Sequence, residues 1–406
     1  MIKIRTNLIN PISPDEVQLF KDYVLGYDDG IIKLIRPYDP ERDKDSEPAL
    51  DSVIIPGLVD LHTHLSQYRA RASYQPSLLP WLYEHIFPAE ARSKDPDYAR
   101  ATSAAFFKAL FAAGTTTAVI YTAPFKQACE IALDTALQLG ARVLIGMTMM
   151  DANSPDYLIQ KTAQALDDSF DLFERYNNKE SRIGYIFSPR FALSCSADLM
   201  KQTADFAHRH DAYIQSHLSE NEDEVAQVKE IFGKPTYTQV YEDFGLLGPK
   251  TILGHAIHLS EAEMAILAHT NTAIAHCPES NFFLKSGEFP FAALLDRSLR
   301  IGLASDVAAG NSLSMLQQAK FASYRQSSHS LSPQRLFWHL TLGAAEALGW
   351  QDRIGSLQIG KDADLCQIKL KAPYEVDEQL LSALIYLSEE FPISRTIIHG
   401  NTVFQS

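Results

Sequence analysis

A few short segments hold the residues of this chain that can do chemistry. His62 and His64 stand two apart in LVDLHTHL. On a strand that spacing points both imidazoles to the same side, where their nitrogens can share a divalent cation. His217, in AYIQSHLSE, adds a third nitrogen, and Asp306, in GLASDVAAG, adds a carboxylate. Three histidines and one carboxylate leave room for a water on a borderline-soft metal, a donor set that suits one catalytic Zn2+. Such a metal makes water nucleophilic near neutral pH. Glu220 follows His217 by three residues and is read as a proton shuttle between that water and a substrate. Asp306 is read both as a ligand and as a first acceptor of the water's proton. His255, in ILGHAIHLS, is open to two roles, a further ligand or a group that orients the attacking water; the second is preferred because four ligands already serve the metal. His276, in AHCPES, is read as a packed strand histidine.

Other signals fail. GSLQIGK matches the first part of a phosphate-binding loop, but Asp362 stands where Ser or Thr is required. Neither a G-x-G-x-x-G nor an H-E-x-x-H is present, and the paired H-x-E and P-C-x-x-C segments of the cytidine-type deaminases are absent. No lysine ends the segment GYIFSPR, so a lysine carbamate bridging two metals has no source there. One metal is therefore expected per chain.

These residues need elements that bring them to one place. Eight β-like runs are expected, at Leu58–Leu65, Thr115–Ala123, Arg142–Met150, Arg182–Arg190, Ala212–Glu220, Thr251–Leu259, Thr272–Glu279 and Arg300–Val307. Their starts recur about every 35 residues, room for a helix and two loops per step. Helical spacing marks Asp97–Ala113, Asp198–His210, Ser260–His269 and Ser332–Leu348. The expected fold is α/β, a (β/α)₈ TIM-type barrel, with a doubly wound open sheet as the alternative. In the barrel the polar residues would share the face at the strands' C-terminal ends, where such barrels carry their sites. Tyr23–Tyr27 and Gly30–Ile35 read as strands, Arg36–Pro48 as an exposed loop, and Thr396–Phe404 as a closing strand. A small β-sandwich domain built from both chain ends is expected, with segments 1–56 and 351–406 flanking a barrel at 57–350. The long connection Ser66–Asp97, with Trp81 and Phe87, reads as a hydrophobic cover over the pocket.

Composition narrows the partners. The chain has 406 residues, with 36 basic and 50 acidic, for a net charge of −14. That balance argues against a polynucleotide or an anionic membrane surface as the main partner. The four cysteines, at 129, 195, 277 and 366, form no C-x-x-C pair and read as reduced thiols. No secretory signal or membrane span is expected.

PGLVDLHTHL, the later His and Asp positions and GSLQIGKDADL together resemble the amidohydrolase superfamily. SQYRA, LLPWLYEHIFPAEAR, SPRFALSCS, QSHLSENEDEV, AHCPESN and SDVAAGNSLSM are similar to the guanine deaminase family within it. The resemblance implies zinc on His62, His64, His217 and Asp306, with Glu220 as proton shuttle. It implies contacts to the small-molecule substrate guanine from Gln67, Arg190 and Phe191, with His217 and Glu220 beside it. It implies hydrolytic deamination of guanine in the cytoplasm by a homodimer. Two alternatives stay open: deamination of a related purine or pterin, such as 8-oxoguanine, and a non-catalytic assembly protein on the same barrel. Glu279 departs from the family pattern, which commonly has Asn there, and is expected near the barrel mouth.

Overall fold

The computed structural model describes residues 1–327, 329–371 and 374–406. The N-terminal segment makes β1 (Ile2–Ser13), β2 (Glu16–Asp28), β3 (Ile31–Pro37) and β4 (Glu47–Pro56). Eight parallel strands come next. They are β5 (Leu58–His64), β6 (Thr115–Thr122), β7 (Arg142–Met149) and β8 (Ile183–Pro189), then β9 (Tyr213–Leu218), β10 (Thr251–His255), β11 (Ala273–His276) and β12 (Ile301–Leu303). They pair in sequence order. All their residues are buried except Tyr213, which is half-buried. Burial on both faces explains why these segments are nearly continuous apolar runs rather than alternating ones. The nearly closed barrel is joined at its mouth by two backbone bonds: the Asp306 amide donates to the His62 carbonyl at 2.9 Å, and the His64 amide to the Val307 carbonyl at 3.1 Å.

Helices cover the outside. Ser196 and Ser260 cap the helices Ala197–Arg209 and Glu261–His269, and Pro96 opens Pro96–Ala112 behind the capping Asp95. The chain's last strands are β13 (Leu365–Lys369), β14 (Ile393–Ile398) and β15 (Asn401–Gln405). Both chain ends meet in one seven-stranded sheet of order β15-β14-β13-β4-β1-β2-β3. The failed phosphate-loop match lies at the junction of this sheet and the barrel. Buried Arg142, at the start of β7, reaches Asp362 at 2.7 Å and Asp364 at 2.6 Å, while Lys361 donates to Ser356 at 2.6 Å. These charges are structural ties at the barrel's N-terminal end, away from the mouth.

Four expectations need correction. The last three barrel strands are shorter than expected: His255 and Ala256 turn the backbone at the end of β10 with φ of +69° and +50°, a helix opens at Pro278 directly after β11, and Asp306 takes φ of +44° after β12. The helix expected over Ser332–Leu348 is two, Pro333–Leu340 and Leu342–Leu348, because Thr341 leaves helical geometry at φ −132°, ψ −101°. The expected closing strand is the hairpin β14–β15, since His399 and Gly400 both take positive φ and make a two-residue turn. Residues Ile2–Ser13, not read as regular structure, form the long strand β1.

Candidate active site

The site is assembled at the C-terminal ends of the barrel strands. His62 and His64 end β5, His217 lies in β9, His255 ends β10, and Asp306 follows β12. The Nε2 atoms of His62 and His64 are 3.2 Å apart, as are those of His64 and His217. Asp306 Oδ1 lies 3.4 Å from His62 Nε2 and 3.2 Å from His64 Nε2. Tetrahedral bonds of about 2.0–2.1 Å set ligand atoms about 3.3–3.4 Å apart, so these spacings match the edges of a metal-sized tetrahedron. Donors of His62, His217, His255 and Asp306 also lie within 4.8 Å of one another. His255 is the more remote, 3.6 Å from Asp306 Oδ2, so His64 is the better fourth donor and His255 borders the same centre.

The protonation pattern supports a cation. His217 Nδ1 donates to the Arg190 carbonyl at 2.6 Å, which leaves its Nε2 lone pair facing the cluster. Burial holds the His62 ring down at about 4, and burial with the neighbouring imidazoles holds His217 well below its ordinary value. Neutral imidazoles converging on a carboxylate put lone pairs face to face, an arrangement that a divalent cation relieves. The donor set therefore fits a divalent metal. Tyr121 stacks on His64 with ring centroids 4.7 Å apart and holds that ring from behind.

Glu220 faces this cluster. The helix Glu222–Phe232 is capped by Asn221 and Glu224, so Glu220 is released from that task and turns inward. Its Oε2 lies 3.3 Å from His255 Nε2, and Ser286 donates to its Oε1 at 3.3 Å. Burial, with the nearby Asp306 and Glu224 carboxylates, raises Glu220 to about 7, against the opposing pull of His255. The His255 Nδ1 proton goes to Asn281 Oδ1 at 3.0 Å, which fixes the ring. Ser219, His255 and Asp306 have φ of +49°, +69° and +44°. Left-handed backbone at non-glycine residues costs about 1–3 kcal/mol each and aims side chains a regular strand would not.

A cavity opens onto the cluster. His64, His217, Glu220, His255 and Asp306 line it, together with Gln67, Arg190 and Phe191. Leu78, Trp81, Leu82 and Leu284 supply apolar wall, so the expected cover contributes Trp81. Phe87 is buried behind it, its ring centre 5.2 Å from the Arg190 guanidinium carbon. Every residue expected from the sequence to hold the metal, move a proton or touch the substrate thus lines this cavity or, for His62, the donor cluster beside it. His276 packs on Phe289 with centroids 4.1 Å apart and stays out of the cavity. Glu279 does not face the cavity; it accepts from Ser312 N at 3.1 Å and Gln318 Nε2 at 2.9 Å, bracing the loop that carries Asp306.

The sequence reading missed Glu90. This fully buried carboxylate accepts from Gln67 Nε2 at 2.9 Å and Arg190 Nη1 at 2.7 Å. The available signal was weak, since Glu90 is one of two acids, with Glu84, in WLYEHIFPAEAR.

The family model described as "Amidohydrolase family" matches residues 53–403. The chain belongs to the amidohydrolase family. Among amidohydrolases it is 34% identical over 366 residues to guanine deaminase of Escherichia coli (strain K12), covering 87% of this chain and 83% of the relative. A crystal structure of guanine deaminase from C. acetobutylicum with bound guanine in the active site superposes with a TM-score of 0.94 at 30% identity, over 99% of this chain and all of that one. An adenosine deaminase from Xanthomonas campestris with bound zinc gives a TM-score of 0.86 at 25% identity, over 99% of this chain and 92% of that one. This amidohydrolase is a hydrolase acting on C–N bonds.

Proposed function

We propose that this chain hydrolyses guanine to xanthine and ammonia. The observation that carries the reading is one cavity lined both by members of the donor cluster with Glu220 and by Arg190, Gln67 and Phe191. The likeness to guanine deaminases, one with guanine in its active site, supports the choice of base. His62, His64, His217 and Asp306 would hold a single zinc ion, and a bound zinc supplies the Lewis acidity that makes water nucleophilic at neutral pH.

The remaining roles belong to side chains of this chain. Arg190 presents a planar fork of donors, which suits guanine O6 and N7. Phe191 offers an aromatic face for the purine ring, and the Gln67 amide a donor and an acceptor for another base edge. Glu220, held by Ser286, takes a proton from the attacking water and delivers it to N3 as the C2–O bond forms. The new C2 hydroxyl then gives up its proton, which passes to the C2 amine, and the C2–N bond breaks to leave the C2 carbonyl of xanthine and ammonia. His255, fixed by Asn281, orients the attacking water.

A panel of guanine, 8-oxoguanine, adenine and a pterin, followed by ammonia release, tests the substrate. The reading expects guanine to be the preferred substrate; preference for another member overturns it. Homodimerisation and a cytoplasmic location belong to the same proposal, supported by the resemblance of the sequence, and sedimentation and cell fractionation test them. No helix among the described residues is long and apolar enough to cross a membrane.

A further inference from the structure

We propose that Glu90 is a positioning residue that sets how this site reads the O6 edge of the base, an inference that rests on the guanine reading above. Glu90 does not line the cavity and acts through two residues that do. Its carboxylate spans them, Oε2 accepting from Arg190 Nη1 at 2.7 Å and Oε1 from Gln67 Nε2 at 2.9 Å. The Gln67 Oε1 accepts from the Ala308 amide at 3.2 Å, two residues past Asp306. These two bonds fix which end of the Gln67 amide is donor and which is acceptor.

The bond to Arg190 has a similar effect. One guanidinium nitrogen is committed to Glu90, so the other donors of the fork remain for a ligand, in a plane set by the carboxylate and by the Phe87 ring. Phe87 and Glu90 share the helix Phe87–Ala91, three residues apart and so on one face. A π-helical turn, Leu82–Ile86, immediately precedes it. The wider turn alters the side-chain register of the helix Phe87–Ala91, as such turns do at functional sites. One short helix of the cover thus carries both groups that hold Arg190. No other carboxylate hydrogen-bonds Arg190 or Gln67 among the described residues.

Glu90→Gln tests this. The replacement is nearly the same size, but a single amide cannot accept from both Arg190 and Gln67 in the present arrangement, because one of its ends is a donor. Guanine is compared with 2-aminopurine, which lacks O6, as a competitive inhibitor. In the wild-type protein guanine is expected to bind much more tightly. In E90Q the KM for guanine should rise roughly tenfold to a hundredfold, the scale of one lost hydrogen bond to a charged group. The inhibition constant of 2-aminopurine, which keeps N7 and the edge that Gln67 meets, should rise by clearly less than that; kcat should change by less than about threefold, and the metal content should be unchanged. A merely structural role predicts equal losses for both bases.

Glu90→Asp keeps the charge and shortens the reach, so it should give an intermediate ratio; it carries the same test if E90Q does not accumulate as folded protein. Guanine turnover with wild-type discrimination in these variants overturns the positioning role and leaves the substrate assignment intact. Absence of guanine turnover by the wild-type protein overturns both.

Discussion

Replacing Gly254 with alanine tests whether the donor cluster is as rigid as its packing implies. Gly254 lies in β10, and a Cβ there would stand 2.9 Å from His62 Cε1 and 3.0 Å from Nδ1. Ordinary van der Waals contact begins at 3.4 Å, so something must move by about half an ångström. The His62 ring has little room to retreat. The rings of His217, Tyr121 and His255 surround it, with centroids 4.6, 5.2 and 5.7 Å away. Metal–ligand distances tolerate only about 0.2 Å. Disturbing groups that support metal ligands typically lowers affinity by roughly 10- to 100-fold, or about 1.4–2.7 kcal/mol. The same crowding should destabilise the metal-free protein by about 1–3 kcal/mol. Competition against a colorimetric chelator measures the first effect, and urea unfolding the second. Gly248→Ala is the control, since its Cβ would meet only His208 Cε1, at 3.8 Å. Wild-type metal affinity in G254A would refute the reasoning, because the His62 ring would then be free to shift without consequence.

Other outcomes are expected from the same geometry. Glu220→Gln should keep its metal while losing roughly 10²- to 10⁴-fold in turnover, the usual contribution of a positioned acid or base; near-normal ammonia release would remove the shuttle role. Arg142→Met leaves Asp362 and Asp364 without their buried partner and should cost about 3–5 kcal/mol in urea unfolding. Folded R142M should keep its turnover, because Arg142 starts β7 at the end opposite the site. Burial holds the His339 ring at about 4, against an ordinary 6.5. The unfolded chain therefore binds the proton more readily, and stability present above pH 6.5 is lost as pH falls towards 4. Between pH 7 and 5 the loss should be about 2 kcal/mol, and His339→Asn should show a shallower decline over that window.

Much of this arrangement is legible in the chain. Both-face burial leaves long apolar runs, so the barrel strands β5 to β8 lie within about one residue of their expected bounds at each end. The strands β10 and β12 stop early because backbone turning at His255 and Asp306 depends on tertiary contacts, such as the bond from the Asp306 amide to His62, that no local pattern encodes. The histidines and Asp306 are visible because metal chemistry restricts which residue types can serve. Glu90 is hidden for the opposite reason. Its role comes from Arg190, a hundred residues away, and in the sequence it looks like any acid on a helix. Glu279 lies near the mouth as expected, just past the end of β11, and its bonds to Ser312 and Gln318 turn it away from the cavity.

The most direct measurement is the conversion of guanine by the purified protein, following loss of guanine absorbance and appearance of xanthine, with the bound metal quantified in the same sample. The account predicts one divalent metal per chain, xanthine and ammonia formed in equal amounts, loss of turnover on chelation and its return when zinc is restored. Guanine left unconverted by protein carrying its full metal, or conversion that persists after the metal has been removed, would contradict it.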